Sequence, residues 1–220
     1  MARVGNKPFL EYLLEFLKIY QINELIFCIG YMSQNIREYF GDGSLWSVKI
    51  DYSVENDLLG TGGAVKNAES FLDGTFLTLN GDSFFEINLD ELLQFHNEKK
   101  MEIEGGFFLG TVALTKVQHA QNFGSVILDQ DNRILQFSEK EERKATDGIS
   151  LVNAGIYVLE PVILNNIPVS QKVSIESEIF PSLLEAGYYL GGFLTDGVFV
   201  DIGTPEGYGR FRDFILGRNS

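Results

Sequence analysis

Hydrophobic and polar positions along this 220-residue chain switch between two periods, and the switches mark its elements. From Pro8 to Tyr20, Glu11, Glu15 and Lys18 fall at i, i+4 and i+7 and leave Phe9, Leu10, Leu13, Leu14, Phe16 and Leu17 over most of the circumference, which predicts a largely buried helix. Glu24 to Gly30 is a continuous apolar run and predicts a strand. A helix over Ser33 to Phe40 comes next, then the turn Gly41-Asp42-Gly43. Val48 to Tyr52 alternates as a strand does and runs into a loop, Glu55 to Gly63, before a helix through Phe71. Phe76 to Leu79 is a short apolar strand that stops at Asn80-Gly81-Asp82.

Asn88-Leu89-Asp90-Glu91 opens like a capping box and predicts a helix to about Glu98, with a long strand over Glu104 to Leu114. Gly124 to Leu128 and Ile134 to Phe137 flank a polar turn and predict a hairpin. Leu151 to Leu159, Tyr188 to Leu194 and Val198 to Val200 predict further strands. Ser174 to Ala186 predicts a helix closed by Gly187, and Thr204-Pro205 opens a last helix to about Leu216. Alternating strands and helices imply an α/β fold with a Rossmann-like mixed, mainly parallel sheet and a small β-hairpin subregion. The length suits a single domain over 1–220.

Charge narrows the partners. Lys and Arg number 17 against 31 Asp and Glu, a net of −14, and no basic run stands out, which argues against nucleic acid and against an anionic membrane. If the ligand is itself anionic, the chain must recruit local cations, backbone amides or a divalent metal to hold it. A basic-then-apolar leader and an apolar stretch of about 18 residues are both missing, so the expected location is the cytoplasm. Homo-oligomer formation is compatible with the sequence. The single cysteine, Cys28, lies in an apolar run and reads as a core filler. His96 and His119 read as packing or surface residues, and Trp46 as a loop or interface anchor.

The candidate chemistry lies at two strand ends. In open α/β sheets ligands collect beyond the carboxyl ends of the strands, which makes Asp82 a candidate metal or substrate ligand; the alternative is a turn aspartate bonding its own backbone. Phe199-Val200-Asp201 repeats the arrangement just before a helix N-terminus, with the same alternative for Asp201. Two such carboxylates and a glycine-rich loop suit one divalent cation and a phosphate-bearing ligand.

Five segments in order give the chain a family resemblance: Leu59-Gly60-Thr61-Gly62-Gly63-Ala64, Asn80-Gly81-Asp82, Phe123-Gly124-Ser125-Val126 with Glu139-Lys140, Asn153-Ala154-Gly155-Ile156-Tyr157, and Asp201-Ile202-Gly203-Thr204-Pro205-Glu206. From Lys7-Pro8 to the last helix it resembles the sugar-phosphate nucleotidylyltransferases, and within them the bacterial guanylyltransferases for D-glycero-D-manno-heptose or mannose 1-phosphate. The resemblance implies the nucleotide-diphospho-sugar transferase fold and transfer of a nucleotidyl group from a nucleoside triphosphate, GTP by preference, to a sugar 1-phosphate. Pyrophosphate leaves, and the nucleotide-sugar is a lipopolysaccharide or capsule precursor.

By the same resemblance Asp82 and Asp201 are expected to bind Mg²⁺ and, with Lys140, to form the catalytic set. Gly60, Thr61, Gly62, Gly63, Asn80 and Gly81 are expected to bind nucleotide, the glycines letting backbone lie against base and ribose. Gly124, Glu139, Lys140, Asn153 and Gly155 are expected to bind the sugar 1-phosphate. On the residues alone, Glu139-Lys140 reads as a solvated surface pair. Glu55 is a separate expectation, because guanine presents N1–H and N2–H₂ side by side to a carboxylate whereas uracil or thymine offers one N–H between two carbonyls.

Met1 to Pro8 resembles the segment just C-terminal to the Arg-containing glycine-rich loop and Pro-Lys of that family. Relative to it the chain is expected to be N-terminally incomplete, by an internal start or a truncation, with unpaired edges left in the sheet. Two other functions stay open: a non-catalytic sugar-phosphate-binding remnant of the family, and a metal-dependent glycosyltransferase of related fold.

Overall fold

The first helix, α1 (Phe9–Ile19), buries Phe9, Leu13, Leu14, Phe16 and Leu17, the face left by its polar stripe, and sets the Phe9 ring 4.9 Å from that of Phe211. It belongs to a computed structural model that describes residues 1–103, 107–118, 124–138 and 149–218. A hairpin of β1 (Arg3–Val4) and β2 (Lys7–Pro8) precedes α1, too short to show a period in sequence. Lys7 turns back onto the helix, with Nζ 2.5 Å from Glu15 Oε1 and 4.6 Å from the centre of the Tyr12 ring.

Next, β3 (Glu24–Ile29) and β4 (Lys49–Val54) pair in parallel from Glu24 opposite Lys49 to Ile29 opposite Val54, with α2 (Ser33–Phe40) between them. Trp46 anchors the loop before β4, its ring centre 5.7 and 5.2 Å from those of Tyr39 and Phe40. After α3 (Gly60–Asn67) come β5 (Phe76–Leu79) and β6 (Ser83–Phe85). They are succeeded by α4 (Leu89–Glu102), which Asn88 caps by accepting from the Asp90 and Glu91 amides, and β7 (Phe108–Gln118). The predicted hairpin is β8 (Ser125–Leu128) and β9 (Ile134–Ser138), and β10 (Ile149–Leu159) comes after it. A π-helical turn, Ile175–Ile179, leads into α5 (Phe180–Glu185). The chain then forms β11 (Tyr189–Leu194), β12 (Phe199–Asp201) and α6 (Pro205–Arg218).

The main sheet runs β11-β7-β10-β8-β9, with β5 also paired to β10. β11 is parallel to β7, while β10 is antiparallel to both β7 and β5. Hence β5, β7 and β11 point one way with β10 reversed among them, the Rossmann-like mixed sheet the alternation predicts. Among the described residues β3 pairs only with β4 and β5 only with β10, so each keeps one edge without a ladder partner. Side chains alternate across the sheet: Val158 joins a core with Leu14, Phe85, Leu92 and Phe211, whereas its neighbour Tyr157 joins a second with Leu109, Ile163, Phe180 and Leu190. No helix among the described residues is long and apolar enough to cross a membrane.

His96 is a packing residue, fully buried on α4, with Nδ1 3.2 Å from Thr111 Oγ1 and Nε2 2.9 Å from Glu160 Oε1. Lys100 Nζ and Thr75 Oγ1 complete the Glu160 shell at 2.8 and 2.7 Å. Burial lowers the His96 pKa, against the pull of Glu160. Burial would raise Glu160, but its bonds to Lys100, Thr75 and His96 leave it below the usual carboxylate range. Both shifts act in the same direction: the folded state resists protonation, so stability held above about pH 6.5 falls as acid charges His96 and then neutralises Glu160. We expect the urea midpoint to drop between pH 7 and pH 4, with the upper part of that drop flattened in His96→Gln; an unchanged profile in the variant would refute the assignment.

Cys28 departs from the core expectation, because its side chain is exposed. Protein still surrounds the sulfur closely, Sγ donating to Ala64 O at 3.6 Å, and this burial with the Glu55 charge pushes the thiol up to about 11. A thiol held protonated is a poor nucleophile.

Candidate active site

Strand register brings the two predicted acids together. β12 is antiparallel to β6 with Asp201 opposite Ser83, and Asp82 immediately precedes Ser83. The Ile202 amide donates to Asp82 O at 2.9 Å, locking the two strand ends side by side. Asp201 Oδ1 also accepts from the Gly203 amide at 2.7 Å, the turn bond considered as its alternative role, and Oδ2 remains.

Desolvation, then the Asp201 charge, and more weakly that of Glu176, raise the Asp82 pKa above its ordinary value. The residue itself stays exposed in surface area, so the shift reflects protein packed around one side of the carboxyl and like charge beside it. Among the described residues neither Asp82 nor Asp201 has an ion-pair partner, and no group of three or more His, Cys, Asp and Glu converges as a ready-made metal cage. Two uncompensated carboxylates fit a hard divalent cation that takes its remaining oxygens from phosphate and water, the usual mode for Mg²⁺.

Asn80 leads from this acidic end to the strand predicted to hold sugar phosphate. Its amide donates to Gly155 O at 2.9 Å, and its side chain packs where a Cβ on Gly155 would stand, 2.8 Å from Nδ2. Gly155 has φ +71°, inside the irregularity that shifts the β10–β7 register between Asn153 and Tyr157. Its amide donates to Asn153 Oδ1 at 2.9 Å, and Asn153 Nδ2 donates to Tyr157 Oη at 2.7 Å. Gly124 lies one residue beyond the Ser125–Val152 pair, toward Asn153. Glu139 and Lys140, predicted beside it, lie outside the described residues, as do Phe123 and His119.

The glycine-rich segment takes a different form from the predicted loop. Gly60 already begins α3, and Gly62 and Gly63 are buried. Their missing side chains admit the chain's own backbone: a Cβ on Gly60 would meet Val173 O at 2.7 Å and one on Gly63 would meet Gln171 O at 2.5 Å. The Gly62 amide donates to Val173 O and the Val173 amide to Leu59 O, both at 2.9 Å. So these glycines have an intramolecular reason, close approach to residues 171–175, beside any approach to a nucleotide. Gly81 is exposed, and a Cβ added there would meet only Leu10 Cδ2, at 3.6 Å, among the described residues. Glu55 accepts the Leu59 amide at 2.9 Å through Oε2, a bond at the entry to α3 that leaves Oε1 for another donor.

Glu176 is a group the sequence pattern does not single out. Its Oε2 accepts from Thr61 Oγ1 at 2.6 Å and from Ser174 Oγ at 3.0 Å, and its Oε1 accepts from the buried Tyr157 hydroxyl at 3.0 Å. Two glutamates come after Ser174 in one turn. Glu178 takes the capping position, accepting the Ser174 amide at 2.8 Å, which leaves Glu176 to turn inward. A serine with acids two and four residues on signals a helix start without telling which acid caps it.

Comparison with known proteins places this arrangement. Residues 1–217 match the nucleotidyl transferase family, and the chain belongs to it. It is 36% identical over 214 residues to the D-glycero-α-D-manno-heptose 1-phosphate guanylyltransferase of Campylobacter jejuni, covering 96% of this chain and 87% of that one. It is 35% identical over 219 residues to the mannose-1-phosphate guanylyltransferase of Mycobacterium tuberculosis, covering 99% of this chain and 56% of that one. The crystal structure of HddC from Yersinia pseudotuberculosis complexed with GMP-PN superposes with a TM-score of 0.80 at 25% identity, over 98% of this chain and 88% of that chain. The expectation of a sugar-1-phosphate nucleotidylyltransferase is met by this membership.

Proposed function

We propose that the chain transfers a guanylyl group from GTP to a sugar 1-phosphate of the manno series, mannose or heptose, releasing pyrophosphate in the cytoplasm. The observation that carries the reading is the β6–β12 register, which sets Asp82 beside Asp201 with no cation to balance them among the described residues. Asp82 and Asp201 are the residues to hold Mg²⁺, which supplies neutralisation of phosphate charge during an in-line displacement. The α-phosphorus of GTP gains a bond to an oxygen of the sugar phosphate and loses its bond to the bridging oxygen of pyrophosphate, without a covalent enzyme intermediate. Asn80, Asn153 and Gly155 position the two substrates, with Gly124 at the sugar-phosphate end. Gly60 to Gly63 and Gly81 border the nucleotide, and Glu139 and Lys140 complete the sugar-phosphate side as the resemblance implies.

The test offers GTP, UTP and dTTP with Mg²⁺ and either mannose 1-phosphate or D-glycero-α-D-manno-heptose 1-phosphate, and monitors pyrophosphate. Release with GTP and one of these sugars supports the reading. Sugar-phosphate binding without release with any triphosphate selects a binding module instead. For the base, Glu55→Gln keeps an oxygen for the Leu59 amide but replaces a charged acceptor. It should cut the preference for GTP over UTP by about tenfold, the worth of one charge-assisted hydrogen bond. An unaltered ratio removes Glu55 from base selection.

A further inference from the structure

We infer that Glu176 is a positioning residue that ties the nucleotide side of the site to the sugar-phosphate side, so that each substrate's binding favours the other's. The inference rests on the proposed function for the assignment of the two sides, and on the structure for the connection. Glu176 uses one oxygen for each side: Oε2 takes the hydroxyl of Thr61, second residue of α3 in the glycine-rich segment, and Oε1 takes that of Tyr157. From Tyr157 the chain of bonds continues through Asn153 to Gly155 and on to Asn80, beside Asp82. On the other side Thr61 Oγ1 also accepts the Ile175 amide at 2.9 Å, so this bond closes back on the turn that carries Glu176 and pins that turn to α3.

Three features make this a connection rather than surface decoration. Tyr157 is 1% exposed, so its hydroxyl has one direction in which to donate, and burial together with the Glu176 charge holds it in the protonated form that donates. Glu176 sits in the π-helical turn Ile175–Ile179, a widened geometry found frequently at functional sites. The segment bearing it is clamped to α3 by the Gly62–Val173 and Val173–Leu59 bonds, so a shift of α3 moves the carboxylate. Charge-assisted hydrogen bonds in series hold one arrangement together, and a ligand that orders one end lowers the cost of ordering the other.

The experiment measures coupling, which a purely structural role does not generate. Affinity for mannose 1-phosphate and for D-glycero-α-D-manno-heptose 1-phosphate is titrated with and without saturating α,β-methylene-GTP and Mg²⁺, an analogue that cannot transfer its nucleotidyl group. In the wild type the analogue should tighten sugar-phosphate binding roughly fivefold or more. In Glu176→Ala that ratio should fall to one while each ligand still binds alone, and in Glu176→Gln, which keeps one acceptor, it should fall between. Thr61→Val, which leaves the carboxylate in place, should lose the coupling as well when titrated at an analogue concentration shown directly to saturate that variant, so a poorly folding Glu176→Ala does not decide the matter. A wild-type ratio of one, or coupling retained in Glu176→Gln and Thr61→Val, overturns the inference. Failure of the wild type to bind either ligand overturns the proposed function beneath it.

Discussion

Asp82→Asn should lower Mg²⁺-dependent nucleotidyl transfer by about 10³-fold or more, the several kcal/mol that metal-assisted charge neutralisation contributes. The same change should leave the metal-free protein at least as stable as the wild type near pH 7. The two halves have one cause. Desolvation and the neighbouring Asp201 raise the Asp82 pKa, so the folded state prefers the protonated carboxyl. The stability that preference supplies is complete below the ordinary carboxylate value of about 4 and is lost as pH rises through the folded value. At neutral pH the ionised side chain is therefore a cost of folding, relieved by acid, by a neutral isostere or by a bound cation. Melting in EDTA from pH 4 to pH 8 should show the variant gaining on the wild type as pH rises, and Mg²⁺ should raise the melting temperature of the wild type alone. Full turnover in the variant, or a lower EDTA melting temperature at pH 7, would remove Asp82 from the proposed metal site.

The sequence made the acid pair visible because each acid ends a short apolar strand, and position relative to a strand end survives in one dimension. Whether the two strand ends meet does not, since it depends on β12 returning antiparallel to β6 across more than a hundred residues. The helices were legible wherever one face is polar, as along α1, and the Asn88 cap announced α4 correctly. The direction of β10 was not, because a strand buried on both faces reads as the same apolar run whichever way it points. The glycine-rich segment shows a different limit: sequence indicates that backbone must come close to something, and here Val173 and Gln171 meet that need. Glu176 was hidden for the reason a carboxylate near a serine usually is, since local capping explains it sufficiently until the partner hydroxyls of Thr61 and Tyr157, 115 and 19 residues away, are seen.

Gly155→Ala should cost both stability and turnover, and comparison with Gly187→Ala separates the causes. Gly155 and Gly187 both adopt left-handed backbone, with φ of +71° and +88°. An added methyl costs about 1–2 kcal/mol in that conformation at either site. At Gly187 it meets nothing within 4 Å among the described residues. At Gly155 it arrives 2.8 Å from Asn80 Nδ2, 3.0 Å from Cγ and 3.1 Å from Cβ, so rotating the amide end does not clear it and the whole Asn80 side chain must move. That side chain begins the turn carrying Asp82, while Asn153 Oδ1 depends on the Gly155 amide for its orientation. Gly187→Ala should thus melt a few degrees lower with unchanged turnover in the cold. Gly155→Ala should melt lower still and lose about 10²-fold in kcat/KM at temperatures where both variants are folded, the scale of an ångström-sized misplacement. Equal turnover in the two folded variants would show that the bulge at Gly155 serves the sheet and not the chemistry.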